Sequence, residues 1–205
     1  MNMRSLFLGA VLIVSLTTVG YIVFARGKHF QPVRQGFTLT ITESAYPANG
    51  TSFISGTSVR YQKADGSWKK ITALPDGRTS VAYGQPGRGV FEVNEKDQKL
   101  IYVGPTSGTM PNEEQLRADP KFVGEEIVSG YRTLHLHFAE PGGQYTDSYF
   151  CPDLQGYPIR TVTVSSHGNR TVWEATQVTP GEPSFETIPN YPVDESRFNA
   201  IHNQP

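Results

Sequence analysis

Thr57-Ser58-Val59-Arg60-Tyr61-Gln62-Lys63-Ala64-Asp65-Gly66-Ser67-Trp68-Lys69-Lys70-Ile71-Thr72 is the stretch that decides the fold. Two runs rich in β-branched and aromatic residues flank an Asp-Gly pair. Such residues fit a pleated surface, and Asp-Gly fits a tight turn in which both residues take positive φ. The stretch therefore predicts a β-hairpin. Upstream, Phe37, Leu39 and Ile41 alternate with Thr38, Thr40 and Thr42, a strand with one wet face.

The same grammar continues downstream. Pro75-Asp76-Gly77 precedes a strand-like run at 79–83, and runs at 89–93 and 99–103 follow it. After a Pro-rich middle, runs at 122–128, 131–138, 144–151, 159–165 and 170–178 are separated by Ser129-Gly130, Pro141-Gly142-Gly143, Pro152 to Gly156 and His167-Gly168-Asn169. About ten strands with short connections imply an antiparallel meander. A meander of that length must curl, close or cover its concave face. In the middle, Pro111 precedes Asn112-Glu113-Glu114-Gln115-Leu116-Arg117, with acids early and a base late. That pattern predicts one short helix. The predicted fold is mainly β, a curved antiparallel half-barrel of about ten strands with one or two short helices.

The amino terminus is of another kind. Residues 5–25 carry no charge, with Arg4 before them and Arg26 and Lys28 after. A helix crosses the hydrocarbon core with about 20 apolar residues, so residues 1–25 read as a transmembrane anchor or as a signal peptide cut after Ala25. Residues 26–34 read as a linker, 35–192 as the β domain and 193–205 as a flexible tail. The expected location is the periplasm, with residues 5–25 holding the chain at the inner membrane or lost on export.

Composition excludes several classes. The 205 residues carry a formal net charge of −1, so there is no basic excess to hold a phosphate backbone, and no nucleic-acid partner is expected. The one cysteine, Cys151, forms no internal disulfide and reads as a small buried apolar residue. Gly84 to Gly89 lacks the Lys-Ser/Thr ending of a phosphate loop.

Candidate chemistry is sparse. His135 and His137 fall at i and i+2 on a strand and so share a face, opposite Leu134, Leu136 and Phe138. With Asp147 from the next strand they are candidate metal ligands, or simply a polar face with cross-strand hydrogen bonds. Ser165-Ser166-His167 falls in a turn without a nucleophile elbow. Glu125 and Glu126, as strand neighbours, point to opposite faces and cannot act as an acid/base pair. Tyr145, Tyr149, Tyr157, Trp173 and Tyr191 suit either a filled core or an apolar groove. No cofactor is expected.

Three stretches carry a family resemblance. They are Gly124-Glu125-Glu126-Ile127-Val128-Ser129-Gly130-Tyr131-Arg132-Thr133, then Tyr149 to Arg160, then Trp173-Glu174-Ala175 through Val178, Pro183, Phe185, Ile188-Pro189 and Tyr191-Pro192. In that order they resemble the carboxyl-terminal half of bacterial envelope proteins of the LolA/LolB-like (lipoprotein-carrier-like) superfamily. The resemblance implies a curved antiparallel half-barrel whose concave side is lined by helical segments. It implies a carrier of lipid or lipoprotein acyl chains, or a protein that binds an envelope partner. No amino-terminal Cys for lipid attachment is present. The resulting expectation is a non-catalytic binding protein. The alternatives are a metal-dependent enzyme using His135 and His137 and a purely structural envelope protein.

Overall fold

A computed structural model describes residues 35–74, 76–106 and 110–202. The strands, in chain order, are β1 (Phe37–Tyr46), β2 (Phe53–Gln62), β3 (Trp68–Ala73), β4 (Thr79–Gln85), β5 (Gly89–Asn94) and β6 (Lys99–Gly104). After the helix α1 (Glu113–Ala118) come β7 (Phe122–Val128), β8 (Tyr131–Ala139) and β9 (Tyr145–Cys151). A 3-10 turn at Pro152–Leu154 leads to β10 (Tyr157–Val164) and β11 (Arg170–Pro180). The two-residue β12 (Val193–Asp194) and helix α2 (Ser196–His202) end the described chain. Both elements fall within residues 193–202, in the stretch 193–205 expected as a flexible tail. The expected leader and linker, 1–25 and 26–34, lie outside the described residues. Among the described residues no helix is long and apolar enough to cross a membrane.

All twelve strands join one open, curved sheet in the order β12-β6-β5-β4-β3-β2-β1-β11-β10-β9-β8-β7. Two meanders, β2 to β6 and β7 to β11, run outward from β1, which pairs with β2 on one side and β11 on the other. All pairs are antiparallel except β12 with β6. Each of β1 to β11 matches a run read from the sequence, and β12 is the added strand, too short to leave a period.

The turns explain the meander. Asp65-Gly66 does not form the two-residue loop read from the sequence. Only Gly66 has positive φ (91°), Gly66 N donates to Lys63 O at 3.1 Å, and Lys63 N donates to Ser67 O at 2.8 Å. This is a three-residue loop, a type I turn followed by a left-handed glycine. The Asp65 carboxylate holds it by accepting from Ser67 N at 2.7 Å. The loop between Leu74 and Arg78 repeats the pattern, with Asp76 accepting from Arg78 N, and so does Ser165 to Asn169. The true two-residue loop is Ser129-Gly130, where both residues have positive φ and Val128 pairs with Tyr131.

Contacts between distant strands show which way the sheet bends. The guanidinium of Arg60 on β2 lies 4.7 Å from the ring of Tyr157 at the start of β10. Two strands separate them, and three strand spacings in a flat sheet are about 14 Å. Likewise Ser129 Oγ, at the β7–β8 tip, donates to Ala175 O of β11 at 2.7 Å across β9 and β10. The sheet therefore curls toward the face carrying Arg60 and its cross-strand partner Leu39. Phe37, Leu39 and Ile41 project into this concave side and are buried with Ile159 and Ala175. Helix α1 sits on the same side, with Leu116 packed on Leu134 and Leu136.

The convex side of β2–β6 is covered by the chain's own end. Tyr61, Lys69, Tyr83, Phe91 and Tyr102 are successive cross-strand partners and share this face. The segment 181–192 runs over it: Glu182 accepts from Ala64 N, Phe185 packs on Tyr61, Glu186 binds Lys69, and Pro192 O accepts from Leu100 N. Phe198 of α2 ends the strap on Tyr102, ring centroids 4.9 Å apart.

Leu39, with none of its surface exposed, sits where both meanders meet. Leu39→Ala should cost about 2–5 kcal/mol in urea unfolding. Ile127→Ala, at a residue 72% exposed on the edge strand, should stay within about 0.5 kcal/mol of wild type.

Candidate functional site

The concave face of β2 and β3 is built by alternation. Ser58, Arg60 and Gln62 point into it from β2, and Trp68 and Lys70 from β3. Trp68 lies flat across Gly84 of β4, where a Cβ would collide with the indole. The Arg60 guanidinium stacks between two rings, 4.1 Å from the Trp68 centroid and 4.7 Å from that of Tyr157. Tyr157 in turn packs on Phe37 and Trp173, so the aromatic wall runs into the core of β1 and β11.

Arg60 is 8% exposed, and its hydrogen-bond acceptor is the neutral amide oxygen of Gln62, which receives Nε at 3.3 Å and Nη2 at 2.9 Å. All nineteen Asp and Glu lie among the described residues, and none forms an ion pair with Arg60. Lys70, half-buried, stands directly opposite Arg60 across the strand pair. Burial lowers the pKa of both groups; the Arg60 charge lowers that of Lys70 further, and the Glu43 carboxylate partly offsets this.

The other half of the concave side is occupied by α1. Asn112 and Gln115 form a reciprocal cap, Asn112 accepting from Gln115 N at 2.8 Å and Gln115 accepting from Asn112 N at 2.9 Å. Arg132 of β8 grips Glu113 with two bonds of 2.8 Å. Arg117 binds both Glu113 and Glu125, so two bases and two acids staple the helix to β7 and β8. Chiefly through Arg132, this network holds Glu113 at a pKa of about 2.

His135, His137 and Asp147 do converge. His135 Nε2 and His137 Nδ1 each donate to Asp147 Oδ1 at 2.8 Å, and His135 stacks on Tyr149 with ring centroids 4.5 Å apart. Burial pushes the Asp147 carboxyl up, but the two imidazole bonds outweigh it and hold the pKa below the usual carboxylate value. The separations are those of hydrogen bonds. Ligand atoms about 2.1 Å from a tetrahedral zinc stand about 3.4 Å apart. Among the described residues no group of three or more His, Cys, Asp and Glu is arranged to hold a metal. The cluster also faces away from the concave side, since Tyr149 and His135 pair opposite the Leu134 and Leu136 row.

Of the remaining candidates, Ser166 Oγ lies 3.3 Å from His167 Nδ1 in an exposed turn, with no acid to orient the imidazole. Glu125 binds α1 while Glu126 faces His135, on opposite sides of β7. Cys151 is fully buried and burial pushes its thiol up to about 11. Sequence reading did not single out Arg60. Its setting between Ser58 and Gln62 looks like an ordinary wet strand face, and nothing local announces Tyr157, which lies 97 residues further on.

No family model matches the chain, and no curated protein matches it. Solved structures do. An uncharacterized conserved protein from Thermus thermophilus aligns with a TM-score of 0.52 at 8% identity, over 86% of this chain and 99% of that one. The two share a fold. A chain of the Pseudomonas aeruginosa MucA/MucB complex aligns at 0.44 and 18% identity, over 76% of this chain and 56% of that one. This chain thus spans little more than half of that protein. A LolA superfamily protein from Nitrosomonas europaea aligns at 0.43 and 10% identity, over 77% and 89%. That superfamily is the one the sequence motifs resemble.

Two outcomes test these assignments. Glu113 titrates near 4.5 when unfolded and near 2 when folded. Its contribution is therefore complete above pH 4.5 and is lost as pH falls toward 2. The side chain is 38% exposed, so its worth is no more than about 1 kcal/mol. The stability gap between wild type and Glu113→Gln, measured in urea from pH 6 to pH 2.5, should close across that window. For the histidines, elemental analysis after zinc loading and dialysis should find no stoichiometric zinc that His135→Ala abolishes.

Proposed function

We propose that this chain is a non-catalytic envelope protein that binds the acyl chain of a lipid or lipoprotein on the concave face of its sheet. The observation that carries the reading is the pair of half-buried indoles, Trp68 and Trp173, on the inner curve, backed by the buried rings of Tyr157 and Phe37. The helices pack on β6, β7 and β8, away from β2 to β5. An apolar wall with a few polar groups is the usual lining of a small-molecule site. Each buried CH₂ contributes about 0.8 kcal/mol, so ten methylenes give about 8 kcal/mol, enough for micromolar binding. The resemblance of the sequence motifs to lipoprotein carriers supports the same assignment. The uncharged run at residues 5–25 supports a periplasmic location, anchored at the inner membrane.

A second reading, recognition of a partner protein, is favoured by the edge strand β7. It ends the sheet and exposes Val123 and Ile127 at 62% and 72%. Exposed strand edges pair with other chains. MucB, with which this chain shares part of its length, is solved in complex with MucA.

Native mass spectrometry of the full chain, released gently from the membrane fraction, tests the acyl reading. The expected mass carries one acyl-bearing lipid per chain, lost on organic extraction and restored by added fatty acid. A protein that purifies without lipid and takes up none would refute it.

A further inference from the structure

We propose that Arg60 and Lys70 form the head-group subsite of this groove, so that its ligand is an amphiphile with an acidic head, a carboxylate or a phosphate. The proposal rests on the acyl-binding reading and specifies its chemistry. A guanidinium removed from water costs several kcal/mol unless an anion and hydrogen-bond acceptors replace the lost solvent. Arg60 is 8% exposed, and no Asp or Glu, all of which lie among the described residues, forms an ion pair with it. Gln62 Oε1 occupies Nε and one hydrogen of Nη2, leaving three of the five N–H groups of a guanidinium without an acceptor. Arg60 Nη1 is not among the described side-chain nitrogens that are sealed from solvent without a hydrogen bond.

Lys70 sharpens the argument. Like charges directly opposite on a strand pair repel. Here Arg60 and Lys70 are such a pair on the concave side, where the Glu43 carboxylate of β1 acts on Lys70 and burial still leaves the Lys70 pKa lowered. Trp68 and Tyr157 lie over the guanidinium, Gln62 takes its Nε–Nη2 edge, and the Nη1–Nη2 end carries the remaining N–H groups. A planar fork with such an end matches two oxygens of one acidic group, and an adjacent ammonium supplies a second point charge. The half-buried rings of Trp68 and Trp173 are the accessible apolar surface on this face, Trp68 against Arg60 and Trp173 against Tyr157. An anion bonded to Arg60 would leave its tail along those rings.

Both tryptophans of the chain report on this site, since Trp68 stacks on Arg60 and Trp173 packs on Tyr157. The full chain in phosphatidylcholine nanodiscs is titrated with decyl phosphate, decanoate, decanol and decyltrimethylammonium, read by tryptophan emission. The two acids should bind at least about tenfold more tightly than decanol, and the cation more weakly than decanol. Arg60→Gln should bring the acids down to the decanol affinity while leaving decanol unchanged. Lys70→Gln, at a half-buried position, should cut the acid preference several-fold and serves if Arg60→Gln does not fold. Equal affinity for acids and decanol in the wild type would overturn the head-group assignment and leave acyl binding standing. Inorganic phosphate binding as tightly as decyl phosphate would overturn the amphiphile in favour of a free anion. Binding of none of the four would remove the groove reading and this proposal together.

Discussion

Everything in this sheet depends on one strand having two partners. β1 pairs along its whole length with β2 and with β11, although β11 begins 124 residues after β1 ends. Without that double pairing the two meanders would be separate sheets, each with an exposed inner edge. Phe37, Leu39 and Ile41 are buried because both halves close over them. A β-bulge lies on each side of β1, between Thr40 and Ile41 toward β11 and between Glu43 and Ser44 toward β2. Bulges bend and twist a pair locally. They stand at the middle of a sheet that brings Arg60 of β2 against Tyr157 of β10. Because the central pairing joins residues so far apart in sequence, it forms only after a large loop closes, and folding is expected to be slow for the size of the domain.

How much of this was legible follows from how local each cause is. The meander was legible because each hairpin carries its own turn residues, Asp65-Gly66, Asp76-Gly77, Ser129-Gly130 and His167-Gly168. The loop type at Asp65-Gly66 was not, because one residue of pairing offset separates a two-residue loop from a three-residue one. Helix α1 was legible through Pro111 and its acid-to-base gradient. β12 was not, because two residues cannot show a period. The place of β1 at the centre of the sheet was not legible either, since both of its faces and both of its edges are determined by residues far away in the chain.

The site was harder still. Sequence alternation assigns one face of a strand to the core and the other to water, and in β2 the two faces are Val59 with Tyr61 and Ser58 with Arg60 and Gln62. That rule puts Arg60 in solvent. It fails because both faces are covered, one by the strap of residues 181–192 and the other by the curl of the sheet toward Tyr157. The histidine pair shows the converse. Its shared face and its approach to Asp147 were legible from spacing alone, yet the geometry reached is a hydrogen-bonded cluster on the outer surface.

The two halves of the sheet bury their apolar residues on opposite sides, and this determines where a ligand can go. In β7 to β9, Leu134 and Leu136 point inward beneath α1. In β4 to β6, Tyr83, Phe91 and Leu100 are buried on the outer side, beneath the carboxyl-terminal strap and α2. A strand needs one apolar face packed to be stable, not two. Once the strap supplies that packing from outside, the inner face of β2 to β5 need not be filled by the protein. It can carry charge and half-buried aromatics at little cost to folding. Replacing a buried ion by an apolar residue of similar size often leaves a protein as stable or more so, so stability alone does not explain Arg60 on that inner face. The strap thus relieves the inner face of β2 to β5 of a core's work and leaves Arg60 and Lys70 there free of any packing role that an apolar residue could not fill.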